Sequence, residues 1–321
     1  MPTFDVSVVG LTILDVLGRP VSHVPERGGV TFIDEIRLTV AGPAGGTAID
    51  TAKLGLRTRI VGATGRDEKG DFIRAVYRSH DVDTALLAVA EQVPTSATIL
   101  PIRANGERPA LHNRGASDAF SLVEADYGAA LDARFVHVGG TGLLAAFDGE
   151  PTRAFLAAAK AAGRITTFDL IAVGPEHFDL VEPLLPLIDY FLPSIEEASE
   201  LSGRKDPLEA ARVFLDRGVG TVAVTLGGDG SVIASRSGEV HRLPAFDVPV
   251  VDTTGCGDAY SAGFIAALAR GHDLRFAGVI ATAASGLVAT GLGSDAGIVS
   301  WSETVAAAQT LRPKRGAGRA A

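Results

Sequence analysis

Short runs rich in Val, Ile, Thr and Phe alternate along the chain with longer Ala/Leu-rich stretches whose apolar positions recur at helical spacing. The short runs fall at 5–9, 59–61, 135–138, 165–168, 190–192 and 221–225; the helical stretches between them include 47–54, 70–80, 151–162 and 207–217. Strand–helix alternation of this kind predicts a largely parallel sheet covered on both faces. A closed eight-unit barrel is the other common architecture at this length. Two departures from the alternation favour an open sheet. Residues 30–40, and 95–103 with 109–113, read as strands joined to strands, and apolar and polar positions partly alternate over 32–38, as in a sheet with one wet face. They predict a small β-lid folded over the site.

The bulk properties narrow the picture. The 321 residues are 46% hydrophobic and 21% charged, with a net charge of −9 and no basic cluster in the body of the chain. That excludes a nucleic-acid surface. One cysteine excludes an intrachain disulfide and suits a reducing compartment. No charged-then-apolar leader precedes the first strand, and the apolar stretch 279–292 is too short and too rich in small residues to span a bilayer. The expectation is a cytoplasmic protein that binds neither membrane nor nucleic acid. The expected organisation is one domain over 1–311, with lid segments at about 12–43 and 93–116. The basic, Gly/Pro-containing end, 312–321, is expected to be a flexible tail.

The chemistry concentrates in Asp252-Thr253-Thr254-Gly255-Cys256-Gly257-Asp258, which closes an extended Val/Pro segment and opens an Ala-rich helix. Two glycines around a small residue leave backbone N–H groups pointing outward at the positive end of a helix dipole, which makes an anion site. Asp258 in the first turn adds a carboxylate. An anion cradle beside a carboxylate is what phosphoryl transfer to a hydroxyl requires: one holds the charge of the moving group, the other takes the proton. The seven histidines form no i, i+4 pair, the first strand lacks a dinucleotide-binding Gly-x-Gly-x-x-Gly, and no Gly-Lys-Ser/Thr phosphate loop occurs.

This motif resembles the second signature of the ribokinase-like (PfkB) carbohydrate kinases. The run Gly45-Gly46-Thr47-Ala48-Ile49-Asp50-Thr51-Ala52, followed by Gly65-Arg66-Asp67-Glu68-Lys69-Gly70, is similar to the first. Weaker echoes lie in order between them, at Pro193-Ser194-Ile195-Glu196-Glu197 and at Thr225-Leu226-Gly227-Gly228-Asp229-Gly230. The resemblance implies a three-layer α/β sandwich with a mostly parallel sheet, and an ATP-dependent kinase acting on a hydroxyl of a small sugar. It implies Asp258 as catalytic base with an anion hole at Gly255, Cys256 and Gly257. Sugar contacts are implied at Asp15, Gly45, Gly46 and Asp50, and a polar residue near the phosphoryl path at Asp169. His112 and Arg114, at the end of a lid-region strand, are candidates to close over the substrate. For ATP it implies Ser194, Thr225, Gly227 and Gly230, with Glu197 ordering Mg²⁺ through water, and K⁺ at Asp252 and Thr254. A homodimer through the lid is also implied. Three positions depart from the family pattern. Asp50 and Ser194 replace asparagines, and Cys256 replaces an alanine. A carboxylate at 50 only accepts, which points to a substrate presenting donors or a cation there. A thiol at a helix N-terminus can have a lowered pKa; the other reading of Cys256 is that the position requires only a small residue. Two other readings stay open: a nucleoside kinase of the same family, and a catalytically weak sugar- or nucleotide-binding regulator.

Overall fold

A computed structural model of the chain describes residues 2–104, 107–171 and 174–314. Thirteen strands occur among them: β1 Phe4–Gly10, β2 Ile13–Arg19, β3 Glu35–Ala41, β4 Thr58–Gly65, β5 Asp83–Ala90, β6 Ala97–Pro101, β7 Leu111–Asn113, β8 Ala133–Thr141, β9 Ile165–Leu170, β10 Tyr190–Phe191, β11 Thr221–Thr225, β12 Ser231–Ser235 and β13 Val240–Leu243. Nine form one sheet in the order β13-β12-β11-β10-β9-β8-β1-β4-β5. Only the β12 and β13 pairings are antiparallel. The strands next to β1 are β4, early in the chain, and β8, which starts the run across the other half. Strand order therefore reverses at β1, and an open α/β sheet binds its ligands at the carboxyl ends beside such a reversal.

Buried apolar residues fill both faces of this sheet as two separate cores. The helix Cys256–Ala269 is buried from Ala259 to Leu268, and its sequence explains how. A Cβ on Gly263 would stand 2.8 Å from Ala281 Cα, so the helix Leu274–Val288 approaches it closely through small side chains.

The second sheet, in the order β3-β2-β6-β7, is built from the segments expected to form the lid. Its strands are shorter than expected. Pro20, Pro25 and the Gly28-Gly29 pair keep most of the region between β2 and β3 irregular, so β3 begins at Glu35 rather than near residue 30. Register places Asp15 opposite both Thr39 and Thr98, and Thr98 opposite His112. Partners across a ladder share a face, so one row, Thr39–Asp15–Thr98–His112, crosses the whole lid. Thr39, Asp15 and Thr98 are buried. The opposite face carries Ile36, Leu38, Ile99 and Leu111, all exposed.

The chain end departs from expectation. Residues 312–314 are not frayed but pair with 245–247; the rest of the expected tail lies outside the described residues. No helix among the described residues is long and apolar enough to cross a membrane.

Candidate active site

Gly255 is the N-cap of the helix Cys256–Ala269 and adopts φ +78°, a left-handed conformation that a side chain would resist. No side chain caps this helix. Cys256 N–H already bonds to Thr253 O at 3.3 Å, so the cradle depends on its neighbours more than on Cys256 itself. Above Gly257 a Cβ would meet nothing within 4 Å, which leaves room for an anion against the helix start.

Asp258 lies one residue further, half-buried. Burial pushes its carboxyl up to about 6, Arg108 pulls it down and Glu197 adds to the rise. The helix Pro43–Lys53 fixes its position. Pro43 occupies the first turn, as its missing N–H allows, so Gly45 and Gly46 sit within the helix and not in a turn before it. A Cβ on Gly46 would lie 3.0 Å from Asp258 Cβ and Cγ and nearer still to Oδ2. A Cβ on Gly45 would lie 2.9 Å from Thr12 Oγ1. Thr47 Oγ1 donates to Asp258 O at 3.2 Å. The two signatures therefore meet at Asp258.

The lid row faces the same region. Asp15, on β2, has Oδ1 buried without a partner; burial raises its carboxyl to about 7, Thr98 lowers it, and Asp258 raises it further. His112 Nδ1 pairs with Thr98 Oγ1 at 3.0 Å, while its Nε2 is buried and unpartnered. Burial lowers the His112 pKa, so the ring is neutral and offers one donor or acceptor inward. Asp50 has both carboxyl oxygens buried without partners, and burial drives its pKa well up despite Lys53. Protonated, it would carry a donor and an acceptor like the amide it replaces; ionised, it would only accept.

At the carboxyl ends of β9 to β11 stand Asp169, Ser194, Glu197 and Thr225. Ser194 and Thr225 form a parallel bridge. Ser194 does not reach outward. Its Oγ accepts from Glu197 N–H at 3.2 Å and donates to Glu197 Oε2 at 2.8 Å, while Glu197 Oε2 takes Ser194 N–H at 2.9 Å, a closed capping box. Asp169 is buried and Glu197 half-buried; desolvation pushes both carboxyls up first, and Glu197 in turn raises Asp169 and Asp258. Among the described residues no three ligating side chains converge as a metal cage. The oxygen donors of Asp169 and Glu197 are of the kind that a largely hydrated cation such as Mg²⁺ takes.

Thr225, Gly227, Gly230, Cys256 and Gly257 share a cavity of about 200 Å³ that runs from the cradle to an apolar wall at Phe246, Val248 and Ala289. Desolvation pushes the Cys256 thiol up to about 11, away from the lowered value a reactive cysteine would have. Asp252 Oδ1 accepts from Thr254 N–H at 3.0 Å and its hydroxyl at 2.8 Å, and Oδ2 from Gly293 N–H at 2.9 Å. Asp252 thus ties the segment before the cradle to the loop after the helix Leu274–Val288.

Arg114 is held at the surface in an ion pair, its Nε donating to Asp118 Oδ2 at 2.7 Å. The lid cation that reaches the site is Arg108, whose Nη1 stands 3.4 Å from Thr254 Oγ1 and whose charge acts on Asp15, Cys256 and Asp258. Nothing in the sequence around Arg108 singled it out.

An anion cradle, a carboxylate beside it, a polar small sheet and an apolar-walled cavity define a nucleotide-dependent phosphotransferase. The sequence profile of the pfkB family carbohydrate kinases matches residues 3–301, and the chain belongs to that family. It is 26% identical to a ribokinase of Haemophilus influenzae, over 84% of this chain and 87% of that one. With a nucleoside kinase of Methanothermobacter thermautotrophicus it shares 28% identity over 94% of each chain. The Arabidopsis thaliana ribokinase solved with ribose and ATP superposes with a TM-score of 0.81 at 22% identity, covering 96% of this chain and 99% of that one.

Proposed function

We propose that the chain transfers the γ-phosphoryl group of ATP to a hydroxyl of a small sugar, with Asp258 as the base. The observation that carries this reading is the placement of Asp258, between an unobstructed helix-start cradle and the partner-free polar groups of Asp15 and Asp50. The acceptor hydroxyl lies between Asp258 and the cradle, with its neighbours held by Asp15, Asp50 and His112. Asp258 takes the proton as the new O–P bond forms, and the bond from phosphorus to the β-bridging oxygen breaks, releasing ADP. The N–H groups at the helix start and the Arg108 guanidinium meet the charge spread over the transferring group. Mg²⁺ bound beside Glu197 and Asp169 would neutralise phosphate charge. A lid seated over the site keeps water from competing with the sugar.

A sugar is favoured over a nucleoside because the lid row presents hydroxyl, carboxyl and imidazole groups rather than the aromatic or apolar wall a base would need. The exposed Ile36, Leu38, Ile99 and Leu111 on the outer lid face support a homodimer through the lid. K⁺ is proposed at the loop that Asp252 and Thr254 join. Arg37 already donates to Leu292 O at 2.6 Å in that loop, so the expected activation is modest, and equal rates in K⁺ and a large organic cation would count against the site.

The test is ADP release from Mg-ATP across ribose, fructose, 2-keto-3-deoxygluconate, inositol and adenosine, for wild type and Asp258→Asn. Sugar-dependent turnover abolished in the variant supports the reading. Preference for adenosine would replace the substrate class, and turnover that survives in Asp258→Asn would remove the base.

A further inference from the structure

After the helix Trp301–Thr310 the chain turns back along the segment that precedes the cradle. Asp247 N–H donates to Arg312 O at 2.8 Å and Lys314 N–H to Ala245 O at 2.7 Å, flanking a bridge between Phe246 and Pro313. In that register the 246/313 pair exchanges no backbone hydrogen bond of its own, so a proline without an N–H fits there. The next residue is thereby aimed at the nucleotide cavity.

Lys314 forms part of the cavity lining. Its Nζ lies 2.9 Å from where a Cβ on Gly228 would stand, directly over the Gly227–Asp229 turn. Asp247 and Lys314 are the two charged residues of that lining; glycines, Thr225 and apolar side chains make up most of the remainder. No hydrogen bond or ion pair among the described residues engages the ammonium group, and no Asp247–Lys314 pair forms. A flexible cation without a protein partner, at the mouth of a cavity that leads to a phosphate cradle, has the chemistry to hold a polyphosphate as a point charge.

We propose that Lys314 binds the polyphosphate of the nucleotide, making the pinned C-terminal segment a working wall of the ATP site. This rests on reading the cavity as that site, so the experiment measures binding directly. Calorimetric titrations with Mg-ATP, ADP and adenosine would compare wild type, Lys314→Met and Lys314→Arg. Lys314→Met is expected to weaken ATP and ADP about 5- to 20-fold and leave adenosine unchanged, with Lys314→Arg restoring most of the loss. In turnover, KM for ATP should rise by the same factor while kcat and KM for the sugar hold. Unchanged ATP affinity in Lys314→Met would overturn the inference alone. An equal loss for adenosine would do so too, because it would mean the side chain packs rather than pairs. A wild type that binds no ATP would overturn the nucleotide reading and this inference together.

Discussion

Replacing Gly46 by alanine tests whether two glycines of the first signature exist to seat the catalytic base. The added methyl would stand 3.0 Å from Asp258 Cβ and Cγ and closer to Oδ2, whereas carbon atoms rest at about 3.5–4.0 Å. Relief requires a movement of roughly 0.5–1 Å. The helix Pro43–Lys53 has little room to give it, since Pro43 to Thr51 are all buried. The carboxylate must therefore move, away from the acceptor hydroxyl. A displacement near 1 Å at the reacting atoms costs about 100-fold in rate. Gly46→Ala should accordingly lose about two orders of magnitude in kcat while Mg-ATP affinity, read by titration, stays within about threefold. Gly257→Ala is the matched control. Its methyl meets no protein atom within 4 Å, so folding is untouched, but it fills the cradle and should weaken ATP binding as well as turnover. A Gly46→Ala enzyme with kcat within threefold of wild type, folded to the same melting temperature, would refute the reasoning.

Three further outcomes are expected. Because burial holds Asp258 at about 6 and Arg108 pulls it down, kcat/KM should rise with pH through about 6; Arg108→Met should move that limb to higher pH, and a limb that stays put would disconnect the two residues. Asp15 is raised by burial to about 7, so its contribution to folding is full below its unfolded value near 3.8 and is lost as pH climbs through 7. Asp15→Asn should therefore gain stability over wild type between pH 4 and 8, reaching on the order of 2–4 kcal/mol at the top, in paired urea melts; a flat difference would refute it. Cys256, pushed up to about 11, should react with iodoacetamide at pH 7 at least about 100-fold more slowly than a free thiol, followed by mass spectrometry, and rapid stoichiometric labelling would contradict the assigned burial.

The cradle was legible because Gly-x-Gly-Asp at a strand-to-helix junction is a local pattern, and local patterns survive folding. Asp15 and His112 were named separately; that they share one row follows only from register between strands far apart in sequence. Gly45 and Gly46 lie inside a helix despite glycine's low helix propensity, because the close approach of Thr12 and Asp258 demands them. Two signals were present and overlooked. Ser194-Ile195-Glu196-Glu197 is a capping box, which uses up the serine hydroxyl, and Arg114 with Asp118 is an i, i+4 pair. Arg108 left no trace, since its contact is with Thr254, 146 residues away, from a loop without periodicity. The two-residue register that pins the C-terminal segment was equally silent.

The contact between the first helix and Asp258 has a consequence for how this chain comes to life. Thr47 and Asp258 are 211 positions apart, and the base has no seat until both are in place. During synthesis, β1 through β11 can pair into a sheet while the ribosome still holds the residues that do the chemistry. A nascent or truncated chain ending before residue 258 is then compact yet inert. Turnover thus reports closure of a loop of that length, and two fragments split between the signatures would regain it only by reassembling across that gap.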